Sequence, residues 1–138
     1  MAYRLHIVTP DGEVYDSQID SMVAKTVLGD VCLLTNHSDI VTVIDVGQVK
    51  ITQNGQSRFG ACSGGLLSMK GGVCNLVATT FEFAEDIDGD RAASARDRAM
   101  DKINSATDSK QEALYKAKLK RALCRLAVKG QATGVKNG

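Results

Sequence analysis

Glycine punctuates only one part of this chain. Nine of its thirteen glycines lie before residue 73, none lies between Asp90 and Lys129, and the single proline is Pro10. Glycine serves turns and sits poorly inside helices. The pattern predicts many short strands first and an uninterrupted helical stretch after them. Charge divides the chain the same way. Residues 1–81 carry five Lys/Arg and seven Asp/Glu, residues 82–90 carry five acids and no base, and residues 91–138 carry twelve bases and four acids. A net charge of +1 conceals this segregation.

The strand half is read by register. Tyr3, Leu5 and Ile7 alternate, and Ile40 to Val46 is nearly continuously apolar, as a central strand would be. If Val49, Ile51, Phe59 and Ala61 share one buried face, a three-residue loop Asn54-Gly55-Gln56 must pair Ile51 with Phe59 and Val49 with Ala61. A two-residue Gly71-Gly72 turn puts Met69 opposite Cys74, Leu67 opposite Leu76, and Ser68 opposite Asn75. Short strands with glycine turns at this density predict a β-sandwich or flattened barrel of roughly eight to ten strands.

The helical half opens on acids. Asp86 or Asp88 can cap a first helix, and Glu85, Asp86, Asp88 and Asp90 complement its positive dipole end. Ala92, Ala95, Ala99 and Ile103 recur at helical spacing. Asn104 to Thr107 breaks that pattern, and Asp108 with Gln111 makes a capping-box-like start for a second helix. Its apolar stripe is Tyr115, Leu119, Ala122, Leu123 and Leu126. Two helices with a short linker predict an antiparallel helical hairpin. From Gly130 onward the polar, glycine-rich tail is expected to fray. The first helix offers mainly alanine methyls, so the hairpin should dock on the sandwich by only a few kcal/mol, where a buried leucine alone contributes roughly 1.5–3 kcal/mol.

Composition closes several routes. With 43% hydrophobic and 24% charged residues the chain is that of a globular protein. No uninterrupted apolar stretch approaches the length of a membrane span. Met1 runs straight into strand-like sequence with no leader pattern, so the chain is expected to stay in the compartment where it is made. Cys32, Cys62, Cys74 and Cys124 form no C-x-x-C pair and are expected to be buried reduced thiols. With His6 and His37 the only histidines, no multi-histidine metal site is expected. No G-x-S-x-G element and no phosphate-binding G-x-x-x-x-G-K-[ST] loop occurs, which argues against catalysis by the chain itself.

Several runs carry a family resemblance. They are Leu5 to Tyr15 (LHIVTPDGEVY), Gly29 to Ile40 (GDVCLLTNHSDI), Ser63 to Leu67 (SGGLL), Ile87 to Ala92 (IDGDRA) and Leu119 to Leu126 (LKRALCRL). In this order they resemble the epsilon-subunit family of F-type ATP synthases, bacterial and chloroplast, over about residues 3–129. Cys32 stands where members commonly have glycine, and Thr35 and Asp39 where they have proline. The resemblance implies an α+β protein: a ten-stranded β-sandwich, residues 1–84, that binds the rotor, then a regulatory helical hairpin, residues 85–138, frayed from about 130. It implies a non-catalytic rotor subunit on the cytoplasmic face of a bacterial membrane, with a plastid thylakoid as the other setting. The partners implied are the gamma subunit, the c-ring and, for an extended hairpin that restrains ATP hydrolysis, the catalytic alpha/beta hexamer. Gly29, Asp30 and Val31 align with the loop meeting the c-ring, and His37 and Ser38 with the region contacting gamma.

The resemblance also implies a regulatory ligand, with no cofactor required. Glu82, Ile87, Asp88, Arg91, Ala92, Arg98, Arg121 and Arg125 occupy positions that bind ATP in some bacterial members. The chemistry suits it. Arg91 and Arg98 are seven apart and Arg121 and Arg125 four apart, so each pair shares a helical face. A folded hairpin would bring four guanidiniums together for a polyphosphate. The competing reading is that the acids are caps and the arginines a solvated face. The basic second helix, Lys116, Lys118, Lys120, Arg121, Arg125 and Lys129, leaves a rival function: nucleic-acid binding by a basic hairpin, against which stands the lack of aromatic interleaving.

Overall fold

The computed structural model describes residues 2–135. Eight strands come first: β1 (Tyr3–Thr9), β2 (Gly12–Ile19), β3 (Ser21–Thr26), β4 (Gly29–Leu34), β5 (Ile40–Gln53), β6 (Gln56–Lys70), β7 (Val73–Ala78) and β8 (Phe81–Phe83). A 3₁₀ turn, Ala84–Asp86, leads into α1 (Gly89–Asn104) and α2 (Ser109–Val135). The strands are ordered β2-β1-β7-β6-β5-β3-β4, with β8 on β6. The path rolls over on itself: the Tyr3 hydroxyl of β1 donates to the Leu33 carbonyl of β4, 2.6 Å away. Tyr3, Leu5 and Ile7 enter one core with Ile19, Met22, Ile51, Leu67 and Leu76, as alternation required. β6 pairs with β7 over Gly65–Lys70 and with β8 over Gly60–Cys62. Two double-length strands, β5 and β6, each do the work of two, which is how eight strands stand where the resemblance implied ten.

The Gly71-Gly72 hairpin has the expected register, with Met69 opposite Cys74 and Leu67 opposite Leu76. The Asn54 hairpin does not. Its turn is the two-residue Asn54-Gly55, both at positive φ, and Ile51 faces Arg58 while Val49 faces Gly60. The expectation assumed one buried face. This sheet buries two: Val49 and Ile51 enter the sandwich core, whereas Ala61 and Phe59 point the other way, into a second cluster with Ala84, Ile87, Val128 and Cys124. Arg58 is accommodated on the near side because its guanidinium carbon lies 3.6 Å from the Phe83 ring centre and its Nε pairs with Glu85. Gly60 leaves room for Phe81, whose ring a Cβ there would meet at 2.3 Å.

In the hairpin, Asp88 is the N-cap of α1, its Oδ1 accepting from the Arg91 amide at 3.1 Å. Asp108 accepts from the Gln111 amide at 2.8 Å, and the Gln111 side chain reaches back to Thr107. α1 packs on α2, and α2 lies on β5, β6 and the 3₁₀ turn. Among the residues of α2 whose side chains are described, Ala122 and Val128 are buried while Leu123 points outward, so the leucine stripe is only partly used. α2 also continues through Gly130 to Val135, where fraying was expected. One glycine costs a helix about 1 kcal/mol and does not end it; the remainder of the expected frayed tail, residues 136–138, lies outside the described residues. Two of the four cysteines correct their expectation. Cys62 and Cys74 are buried, but Cys32 is exposed on β4 and Cys124 half-buried on α2. No described helix is long and apolar enough to cross a membrane.

Candidate functional site

Where the sandwich meets the hairpin, β8, the 3₁₀ turn and both helices enclose a cleft of about 390 Å³. Glu82 comes from β8, Asp86 and Asp88 from the segment entering α1, Arg91, Ala92 and Arg98 from α1, and Arg125 from α2. Ala95 of α1 lines it as well. Three carboxylates thus face three guanidiniums. Arg125 Nε donates to Glu82 Oε1 at 3.1 Å, a bond between α2 and the last strand. Asp88 spends one oxygen on the α1 cap. Arg91 and Arg98 have no ion-pair partner within 4 Å among the described residues.

Six of the eight residues singled out from sequence therefore line one cleft. The other two do not. Ile87 is buried in the apolar cluster with Ala61, Ala84 and Val128. Arg121 lines a neighbouring cleft between α1 and α2, also about 390 Å³, which shares Arg98 and Arg125 with the first. Lys102, which the sequence reading did not name, lines that second cleft with Lys118, read only as part of a basic helix, and Tyr115, read only as part of an apolar stripe; Asp86 and Ala95, read as a capping acid and a helical repeat position, line the first. Helical spacing carried the signal for two of them: Lys102 follows Arg98 by four, and Lys118 precedes Arg121 by three.

A second tie holds α2 to the sandwich. Lys120 Nζ lies 3.3 Å from both oxygens of Asp45 on β5. The Val46 amide, and after it Lys120, hold the Asp45 carboxyl below its usual range.

The partner residues fall in two places. Gly29, Asp30 and Val31 begin β4 after the Val27-Leu28 tip, where Leu28 is 93% exposed. His37 and Ser38 belong to the loop leaving the other end of β4, the His37 Nδ1 donating to the Ser38 carbonyl at 2.6 Å. They do not form one patch. An apolar row that the sequence reading did not single out lies on the outer sheet face. Val43, Leu66 and Val77 are cross-strand neighbours on β5, β6 and β7, all about half exposed, with Val41 beside them.

Residues 2–84 match the family model described as ATP synthase, Delta/Epsilon chain, beta-sandwich domain, and residues 85–130 its long alpha-helix domain. An ATP synthase epsilon chain of Bacillus velezensis is 35% identical, covering 92% of this chain and 96% of the relative. One from Lacticaseibacillus casei is 38% identical, covering 91% and 92%. Among solved structures, a chain of the Euglena gracilis mitochondrial ATP synthase OSCP/F1/c-ring assembly is similar with a TM-score of 0.76 at 18% identity, covering 94% of this chain and 79% of that one. At that identity the likeness speaks for the fold.

Proposed function

The chain belongs to the ATP synthase delta/epsilon-chain family, as a non-catalytic subunit of the central stalk, and within that assembly we propose that its sandwich holds it on the rotor while its hairpin senses ATP. The observation that carries this is the convergence of Glu82, Arg91, Arg98 and Arg125 on one cleft. These side chains come from the sandwich, α1 and α2, and they meet only while the hairpin is folded. A triphosphate would engage the arginines through charge-assisted bonds worth about 1.5–3 kcal/mol each, and the adenine amino group or ribose would donate to Glu82 or Asp88.

Docking is weak enough for such a ligand to govern. Burying Val128 contributes about 1.5–3 kcal/mol, and half-exposed ion pairs such as Arg125–Glu82 and Lys120–Asp45 up to about 1 kcal/mol each. Ligand at a hundred times its dissociation constant adds about 2.7 kcal/mol to the state that binds it. In its absence the basic hairpin extends towards the alpha/beta hexamer and restrains hydrolysis.

The remaining partner assignments rest on surface chemistry. The Val43–Leu66–Val77 row suits the gamma subunit, because a solvent-facing apolar row marks a protein interface. His37 and Ser38 are assigned to gamma as well. The Leu28 tip with Gly29, Asp30 and Val31 suits the c-ring. Bacterial relatives support a peripheral position on the cytoplasmic face of the membrane.

Titration calorimetry on the isolated chain tests the site. Arg91→Ala and Arg125→Ala should each abolish ATP binding, and unchanged affinity in both disposes of it. Hydrolysis by the assembled complex with and without residues 88–138 tests the brake, which an unchanged rate would remove.

A further inference from the structure

β1 and β2 carry a group of side chains that the rotor and nucleotide readings do not use. His6 and Asp16 stand opposite one another in the β1–β2 ladder, so their side chains share a face. Leu5 and Ile7 enter the core, which puts His6 on the outer face. Glu13 lies three residues from Asp16, and in a regular strand the two would point to opposite faces. The strand is not regular there. Ile7 faces Tyr15 and Val8 faces Glu13, which leaves Val14 as the extra residue of a bulge. The bulge brings Glu13 to the side of Asp16. His6 Nε2 lies 3.3 Å from Glu13 Oε1, and one donor atom from each of His6, Glu13 and Asp16 lies within 4.8 Å of the other two.

We infer that His6, Glu13 and Asp16 form a three-ligand site for a divalent cation of the zinc class. Zinc binds imidazole nitrogen and carboxylate oxygen at about 2.0–2.2 Å, which in a tetrahedron separates the ligand atoms by about 3.4 Å. His6 and Glu13 already stand at that spacing, and side-chain rotation brings Asp16 to it. The two carboxylates offset the charge of the ion. Ligation uses the Nε2 lone pair of His6, so the ring proton resides on Nδ1. Arg4 does not take the place of the cation. Its Nε and Nη2 donate to Asp16 Oδ1 and Oδ2 at 2.7 and 2.5 Å, one bond to each oxygen. Each carboxylate oxygen has two acceptor sites and keeps one free. Arg4 therefore holds the carboxylate in place, as outer partners of metal ligands do. The imidazole favours zinc over Mg²⁺ and Ca²⁺, which prefer oxygen. The fourth position is left to water. None of the three residues lines the nucleotide cleft, so the site stands without that reading. It lies at the β2 end of the outer apolar row, where Val77 is opposite Val8 and Val8 opposite Glu13. Occupancy would cancel two negative charges at the edge of that row.

The test is calorimetric titration of the full chain, stripped with chelator, against Zn²⁺, Mg²⁺ and Ca²⁺. Zn²⁺ should bind at one ion per chain and at least tenfold more tightly than either hard cation. His6→Ala and Glu13→Gln should each weaken Zn²⁺ at least tenfold. His37→Ala and Cys32→Ser remove the other histidine and the exposed thiol, and each should change the affinity less than twofold. Nuclear magnetic resonance of the wild-type chain gives a reading that needs no variant. Zn²⁺ should shift the His6 ring signals and the amides of β1 and β2, and leave the His37 ring where it was. No Zn²⁺ binding, Ca²⁺ bound as tightly as Zn²⁺, or shifts centred on His37 or Cys32 would overturn the site.

Discussion

Arg125 on α2 donates through Nε to Glu82 on β8 across 3.1 Å, so the last strand of the sandwich is tied directly to the last third of the chain. The side chains are 30% and 42% exposed, so the bond is worth about 0.2–1 kcal/mol. Glu82→Gln should leave the urea midpoint of the sandwich almost unchanged. It should lower hydrogen-exchange protection in α2 by up to about fivefold, since 1.4 kcal/mol is tenfold. Equal loss of protection in β1 and β7 would contradict a role confined to docking.

Gly65 and Gly60 should respond differently to alanine. At Gly65 the new Cβ would sit 2.2 Å from the Val77 carbonyl oxygen and 2.9 Å from the Ala78 Cα, at a backbone φ of +156°. Backbone cannot step aside, so Gly65→Ala should cost about 3 kcal/mol or more. At Gly60 the obstacle is the Phe81 ring, a side chain that can shift, and the cost should be about 1–3 kcal/mol. Chemical denaturation gives both values, and a milder Gly65 variant would refute the argument.

The sequence made legible those features that depend on neighbours in the chain. Alternation placed Tyr3, Leu5 and Ile7 in the core, and spacing placed Asp88 at a helix start and Arg91 with Arg98 on one face. It failed where a second layer intervened. Phe59 and Ala61 were assigned to the sandwich interior because nothing local announces that α2 covers the opposite face. The same blindness hid the second cleft, since Lys102 and Lys118 come to line one cleft only when α1 lies on α2. Arg121 and Arg125 share a face of α2, but only the packing of that helix against the sandwich decides that Arg125 reaches Glu82 and Arg121 does not.

The outer apolar row should be separable from the fold. Val43 and Leu66 face each other across β5 and β6, about half exposed. Val43→Ser with Leu66→Ser removes little buried area and should shift stability by no more than about 1 kcal/mol. It should weaken association with the gamma subunit at least tenfold, measured by surface binding. Undiminished association would move the gamma interface elsewhere.

Acid should loosen α2 before it unfolds the sandwich. Asp45 is held below the usual carboxylate range by the Val46 amide and then by Lys120. Its contribution is complete above the unfolded value of about 3.9 and is lost as pH falls through the lower folded value. Between pH 7 and 5 the tie should be constant. Below about pH 4, exchange in α2 should rise in wild type more than in Asp45→Asn, which lacks the titrating group. Identical acid profiles would remove Asp45 as the source.

Thiol chemistry should report the hairpin's position directly. Burial pushes Cys62 up to about 11 and Cys74 up to about 12, and both lie in the sandwich core, so neither offers thiolate at pH 8. Cys32 is exposed on β4 and should alkylate first whatever the hairpin does. Cys124 is half-buried where α2 packs on the sandwich beside Ala61 and Phe59, and burial raises its thiol too. Undocking returns it to water and to an ordinary pKa near 8.5. Iodoacetamide at pH 8 should therefore label Cys32 quickly and Cys124 at a rate set by undocking. Ligand that adds 2.7 kcal/mol to the folded hairpin slows that second rate about a hundredfold, while Cys32 keeps its rate. Mass spectrometry of the labelled peptides reads both sites at once, and a Cys124 rate indifferent to ATP would show that the nucleotide does not hold α2 down.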